Sequence, residues 1–279
     1  GGMVAQTPVA SLSIAIGWRH TLMWFAVLGL ILTVLEWVIV RDYPSNYVLP
    51  KHAGAKDIAA LGFWRGIRMV IGNRNNWLGG LYTTFMNLPI FTIGALWGGM
   101  YLTQAHHFST MQASEINAEL FFGTLIGAPL IGWISDKMKR RVLPMLIGAV
   151  LSLVIILIII YFSNLSFVAF LILFFLLGLM TSTQVLSYPA ITELNSPLVT
   201  GSALSIISLL LMASGFVAQP LFGWLLDLRW NHTLINHIAL YSSGNYRLAM
   251  WIIPCGFLAS LVVAFFIKET YCKIQYRED

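Results

Sequence analysis

The chain has 279 residues, is 58% hydrophobic and 10% charged, and carries a formal net charge of +5 from 16 Lys+Arg against 11 Asp+Glu. A soluble domain of this length does not hold so many long uncharged runs, so the fold class is all-α, a polytopic transmembrane helical bundle. The basic excess does not indicate a nucleic-acid partner, because the cations cluster in loops beside apolar spans, where they report topology.

Residues 1–16 are apolar and rich in small side chains, but short of the roughly 20 residues that cross a bilayer. Gly17-Trp18-Arg19-His20 is a polar turn, and Thr21–Val40 is a complete span closed by Arg41-Asp42-Tyr43-Pro44. The long polar region 41–76 follows. Within it, Asp57–Ile71 places Ile58, Leu61 and Trp64 at helical spacing, with Ile67 and Val70 alongside and Lys56, Arg65 and Arg68 at polar positions. This predicts an amphipathic helix in the membrane interface, with partner binding as the alternative. Six further spans are predicted at Trp77–Tyr101, Ile116–Ser135, Val142–Phe162, Phe167–Ala190, Gly201–Asp227 and Leu248–Ile267, which makes about eight in the chain when the short run 1–16 is counted.

Alternate loops put thirteen of the 16 cations on one side, among them Lys137, Lys139, Arg140 and Arg141, and leave Arg19, Arg229 and Arg247 on the other. The first side, and with it the carboxy terminus, is expected to be cytoplasmic, in a plasma or bacterial inner membrane. Cys255 lies in an apolar run and Cys272 just beyond the last one, so no disulfide is expected. No metal-ligand spacing and no cofactor motif is present. H-E-x-x-H, G-x-S-x-G and Walker patterns are absent, so no enzyme is expected.

Polar groups inside spans are the candidates for function, because they are costly in lipid unless paired or used. Thr83 and Asn87 stand four residues apart on one helix face, with Tyr82 beside them. Gln184 and Tyr188 form a second such pair, and Gln219 sits in the outer half of its span. These six can hydrogen-bond a solute, or each other between helices. Two acids are candidates for carrying a proton: Glu119, near the start of its span, and Glu36, five residues before Arg41. Both also fit a structural role near the interface. Gly94/Gly98 and Gly123/Gly127 are G-x-x-x-G pairs suited to close helix approach, and Pro89, Pro129, Pro189, Pro220 and Pro254 interrupt spans.

The densest charge lies between two apolar runs, in Gly132-Trp133-Ile134-Ser135-Asp136-Lys137-Met138-Lys139-Arg140-Arg141. The stretch resembles the G-x-x-x-D-[RK]-x-G-[RK]-[RK] signature loop of the major facilitator superfamily of secondary transporters. Gly132, Asp136, Lys137, Arg140 and Arg141 match, and Lys139 stands where the family usually has Gly. Glu193-x-x-x-Pro197-x-x-x-Gly201 resembles the family's E-x-x-x-P-x-x-x-G pattern, and the Gly17-Trp18-Arg19 turn is similar to the link between its helices five and six.

The resemblance implies several things. Residues 1–40 would end an amino-terminal half, 41–76 would be a cytoplasmic linker, and 77–279 a complete carboxy-terminal six-helix half. The remainder of the amino-terminal half would lie upstream as the partner of this chain in the bilayer. Asp136 would accept hydrogen bonds at the N-terminus of a neighbouring helix, while Lys137, Arg140 and Arg141 would pair with cytoplasmic acids such as Glu193, in a gate that holds one conformation. Function would be alternating-access transport of a small organic solute, coupled to protons, as symport or antiport. A non-transporting accessory or receptor-like membrane protein, or a truncated product, is the alternative.

Overall fold

The computed structural model describes residues 9, 11–13, 15–40, 62–162, 164–235 and 238–275. Seven helices among them are long and apolar enough to cross a membrane. They are α1 (Trp18–Ile39), α3 (Arg74–His106), α4 (Thr110–Met138), α5 (Val142–Tyr161), α6 (Phe167–Leu194), α7 (Thr200–Asp227) and α8 (Ser243–Phe266). A short helix, α2 (Phe63–Gly72), precedes α3. The expected span over 1–16 lies largely outside the described residues, as do Ile58 and Leu61 of the amphipathic segment and the linker cations Arg41, Lys51 and Lys56.

The spans begin and end where local chemistry allows. Helix α4 starts six residues before its predicted first residue, because Ser109 and Gln112 form a reciprocal cap: the Gln112 N–H donates to Ser109 Oγ, and the Ser109 N–H to Gln112 Oε1. Ser166 and Ser242 cap α6 and α8 from one side only, each Oγ accepting a backbone N–H, from Ala169 and Asn245. Prolines leave marks inside spans. Pro89 opens a wide-turn π-helical stretch, Ile90–Trp97, within α3. Before Pro189 the chain tightens into a 3-10 turn, Ser182–Leu186.

Helices α4 and α6 make the closest pairing. A Cβ on Gly123 would lie 2.0 Å from the Phe175 carbonyl oxygen, and one on Gly178 would lie 2.0 Å from that of Leu120. Only glycine permits this approach. Helix α3 is the hub of the remainder: it packs against α7 and α8, and α8 also packs against α5. The main core includes Tyr82, Met86, Leu120, Met145, Phe170, Phe174, Phe222 and Phe257. Val70 of α2 is buried in a second cluster with Ile191, Val199, Ala203 and Ile207, which docks α2 on the α6–α7 corner. Trp64, predicted for the same apolar face, points outward and is 79% exposed.

Helix α1 contrasts with the other spans: Thr21 is its one buried residue. Its apolar flanks need lipid or protein around them. The only strand pairing among the described residues is a two-residue antiparallel contact, Leu234–Ile235 with Ile238–Ala239, in the loop between α7 and α8.

Candidate functional site

The charged loop is built on the C-terminus of α4. Lys139 adopts the left-handed conformation (φ 51°), and the Arg140 N–H reaches back to the Ser135 carbonyl at 3.2 Å, which closes the helix. This geometry is why glycine is usual at the position. The turn swings Arg141 inward, where it is 7% exposed.

Arg141 is the centre of the site. One guanidinium nitrogen (Nη1) donates to Asp136 Oδ1 at 2.6 Å and to Ser135 Oγ at 3.0 Å. Nη2 donates to Glu193 Oε1 at 2.7 Å, and Nε to Glu193 Oε2 at 3.4 Å, a two-pronged grip on a carboxylate at the end of α6. Burial disfavours the Arg141 cation, but the bonds to Glu193 and Asp136 outweigh it and hold its pKa above the ordinary range.

The segment after α8 completes the cluster. The Thr270 hydroxyl donates to Glu193 Oε2, and the Gln275 N–H donates to the Glu193 carbonyl at 2.8 Å. Glu269 caps α5: Oε1 accepts the Arg141 N–H at 2.8 Å and Oε2 accepts the Val142 N–H at 2.9 Å. Helix-end capping by a carboxylate was expected of Asp136, but Glu269 does it, and Asp136, 65% exposed at its side chain, instead pairs with Arg141. The Cys272 thiol donates to the Ser135 carbonyl, and burial pushes its pKa up.

Of the other loop cations, Lys137 lies over the Trp133 ring at 5.0 Å, and Arg140 is exposed. Neither has an acidic partner among the described residues. Gly132 has open space around it. Glu269 and Thr270 were missed in the sequence. The signal was there in Lys268-Glu269-Thr270, a polar run at the end of the last span on the side already assigned to Arg141.

The predicted solute residues fall in two settings. Tyr82 is fully buried, its hydroxyl donating to the Met145 carbonyl at 2.8 Å and lying 2.8 Å from Thr183 Oγ1, which ties α3 to α5 and α6. Thr83 donates to the Gln184 carbonyl at 3.2 Å in the tightened turn of α6. Asn87 and Gln184 are each 7% exposed, and Tyr188 is half-buried against the Ile191 cluster. Gln219 donates to the Phe91 carbonyl at 3.2 Å, bridging α7 to the wide turn of α3. Glu119 is half-buried on α4, nine residues from the helix start rather than at it. Glu36 is exposed on α1.

Seven membrane-length helices, with one end charged and cross-linked and the mid-span polar groups turned inward, define an integral multi-pass membrane protein. Residues 90–273 match the family model of the Major Facilitator Superfamily, and the chain belongs to that superfamily. No curated protein matches it. Among solved structures it is similar to a bacterial homologue of the human lysosomal transporter Spinster. In the inward-facing, occupied conformation the identity is 15% and the TM-score 0.57, covering 90% of this chain. In the inward-facing, unoccupied conformation the identity is 16% and the TM-score 0.53, covering 92%. The chain spans 57% and 58% of those two structures' own lengths.

Proposed function

We propose that the chain forms the carboxy-terminal part of a secondary transporter that moves a small organic solute by alternating access, coupled to protons. Membership of a superfamily of solute transporters supports this reading. The observation that carries it is the Arg141 cluster, in which one guanidinium joins α4, α6 and, through Glu193 and Thr270, the segment after α8. Such a cluster suits a gate. Its bonds are strong only while the helix ends converge, and each partner is re-solvated once they part.

On this reading residues 1–40 end an amino-terminal half, 41–76 link the halves, and 77–279 form the second half, with the Arg141 end cytoplasmic. Thr83, Asn87, Gln184, Tyr188 and Gln219 serve the solute path, and Tyr82 braces it. Glu119 is the better placed of the two acids to carry a proton, since Glu36 lies on an exposed helix. The test is solute flux in proteoliposomes made with the full-length protein, with and without a proton gradient. Arg141→Lys keeps the charge but loses the two-pronged grip, and is expected to cut turnover by about tenfold or more while insertion is unchanged. Wild-type flux in a well-inserted Arg141→Lys protein would end the gate reading.

A further inference from the structure

We propose that the cleft between the outer halves of α3 and α4 binds a small uncharged solute rich in hydroxyl or amide groups, with Asn117 as its anchor. The inference rests on the transport reading, and names the chemical class of the cargo. The cleft has a volume of about 320 Å³, at the small end of ligand pockets. It lies at the end of the bundle opposite Arg141, beside the wide turn of α3. Gly94, Gly99, Thr103, Thr110, Ser114 and Asn117 are among its lining residues.

Asn117 is the anomaly. It is 3% exposed, and its Oδ1 is buried with no hydrogen-bond partner among the described residues. An amide carbonyl left unpaired inside an apolar bundle is unfavourable, so it asks for a donor from outside the chain. A Cβ at Gly98 would lie 2.5 Å from Asn117 Oδ1 and 2.4 Å from the Ile93 carbonyl, so a larger residue at 98 would collide with this arrangement.

The rest of the lining selects the partner. Thr103 donates its hydroxyl to the Gly99 carbonyl at 2.9 Å, which leaves its oxygen as an acceptor. Ser114 and Thr110 add further hydroxyls. No Asp, Glu, Lys, Arg or His is among the described residues that line the cleft, so an ionic solute would enter without a counter-charge from them at a depth where that is costly. A neutral donor-rich molecule satisfies Asn117 and meets no charge.

The experiment is equilibrium binding of radiolabelled glycerol, erythritol and mannitol to the full-length protein in lipid nanodiscs, with gluconate as the charged competitor. At least one of the three is expected to bind saturably. Asn117→Leu, which keeps the branching at Cγ but loses the amide, should weaken that binding about tenfold or more, and gluconate should not compete. Ser114→Ala, on the half-buried rim, should weaken it a few-fold and carries the same test should Asn117→Leu fail to insert. The proposal is overturned if none of the three binds saturably, if gluconate competes equally, or if both variants bind as the wild type does. Asn117-dependent binding without gradient-driven flux would count against the transport reading alone. Flux together with binding indifferent to Asn117 and Ser114 would remove the cleft alone.

Discussion

At one end of the bundle, four charged side chains from three places in the chain converge: Asp136 and Arg141 around the α4–α5 turn, Glu193 at the end of α6, and Glu269 after α8. At the other end the ties are mostly neutral. Gln104 of α3 accepts the Tyr241 N–H at 3.0 Å and the Tyr246 hydroxyl at 3.0 Å, and donates to the Ala239 carbonyl at 3.2 Å. The Tyr241 hydroxyl donates to Asp227 at 2.8 Å. Rings fill the rest: Tyr241 packs against Trp230 and Tyr246, and Tyr101 against Tyr246 and His106. The difference teaches how the same helices are closed in two ways. Ionised groups regain strong hydration when separated, whereas aromatic area and neutral hydrogen bonds gain little from water. The first end is held by charge, the second by neutral bonds and ring packing.

The comparison breaks most visibly at Arg141. Arg141→Met leaves the Glu193 carboxylate buried without its cation, and should destabilise the protein by about 3–5 kcal/mol. Denaturant unfolding in detergent measures this, and a loss below about 1 kcal/mol would show that the cluster does not hold the fold. Gln104→Ala removes three neutral bonds and should cost about 1–3 kcal/mol. Its signature is faster proteolysis within residues 228–242, with the Arg141 end unaffected. Lys139→Gly should act in the opposite direction, stabilising by about 0.5–1 kcal/mol, because Lys139 already holds a left-handed conformation that glycine adopts freely.

The smallest effect is a titration at the neutral end. Burial, then the bond and charge of Asp227, push the Tyr241 phenol from its ordinary 10.0 up to about 12. A raised phenol favours the fold fully below the unfolded value of 10.0, and loses that contribution as pH rises through about 12. Ultraviolet titration of the wild type and of Tyr241→Phe should differ by one tyrosine that titrates above 10.0. If the two curves do not differ there, the Tyr241–Asp227 bond does not form in solution.

Much of this was legible in residue order. Span positions follow from apolar runs bounded by charge, and Val142 was correctly placed as the first residue of α5 because a cluster of cations ends there. The errors fell at the ends of helices. The Ser109–Gln112 cap carried α4 outward into polar sequence, which put Glu119 more than two turns inside the helix instead of near its start. His106, five residues past the predicted end of its span at Tyr101, closes α3 and bonds the Tyr101 hydroxyl at 2.8 Å. Hydropathy cannot see these extensions, because capped polar residues continue a helix without being apolar.

By itself, the sequence determined that this is a polytopic helical membrane protein, and where its apolar runs and its basic loop lie. Those properties are local: each depends on a run of neighbouring residues and its solvent. The tertiary structure decided which charge meets which. It chose Arg141 rather than Lys137 or Arg140 as the centre, Glu269 rather than Asp136 as the cap of α5, and Tyr82 as a brace between helices. It also left Asn117 Oδ1 without a partner among the described residues, beside a polar cleft. The reason is physical. A buried polar group is defined by its partners, and these lie as far along the chain as Glu193 from Arg141 or Glu269 from Val142.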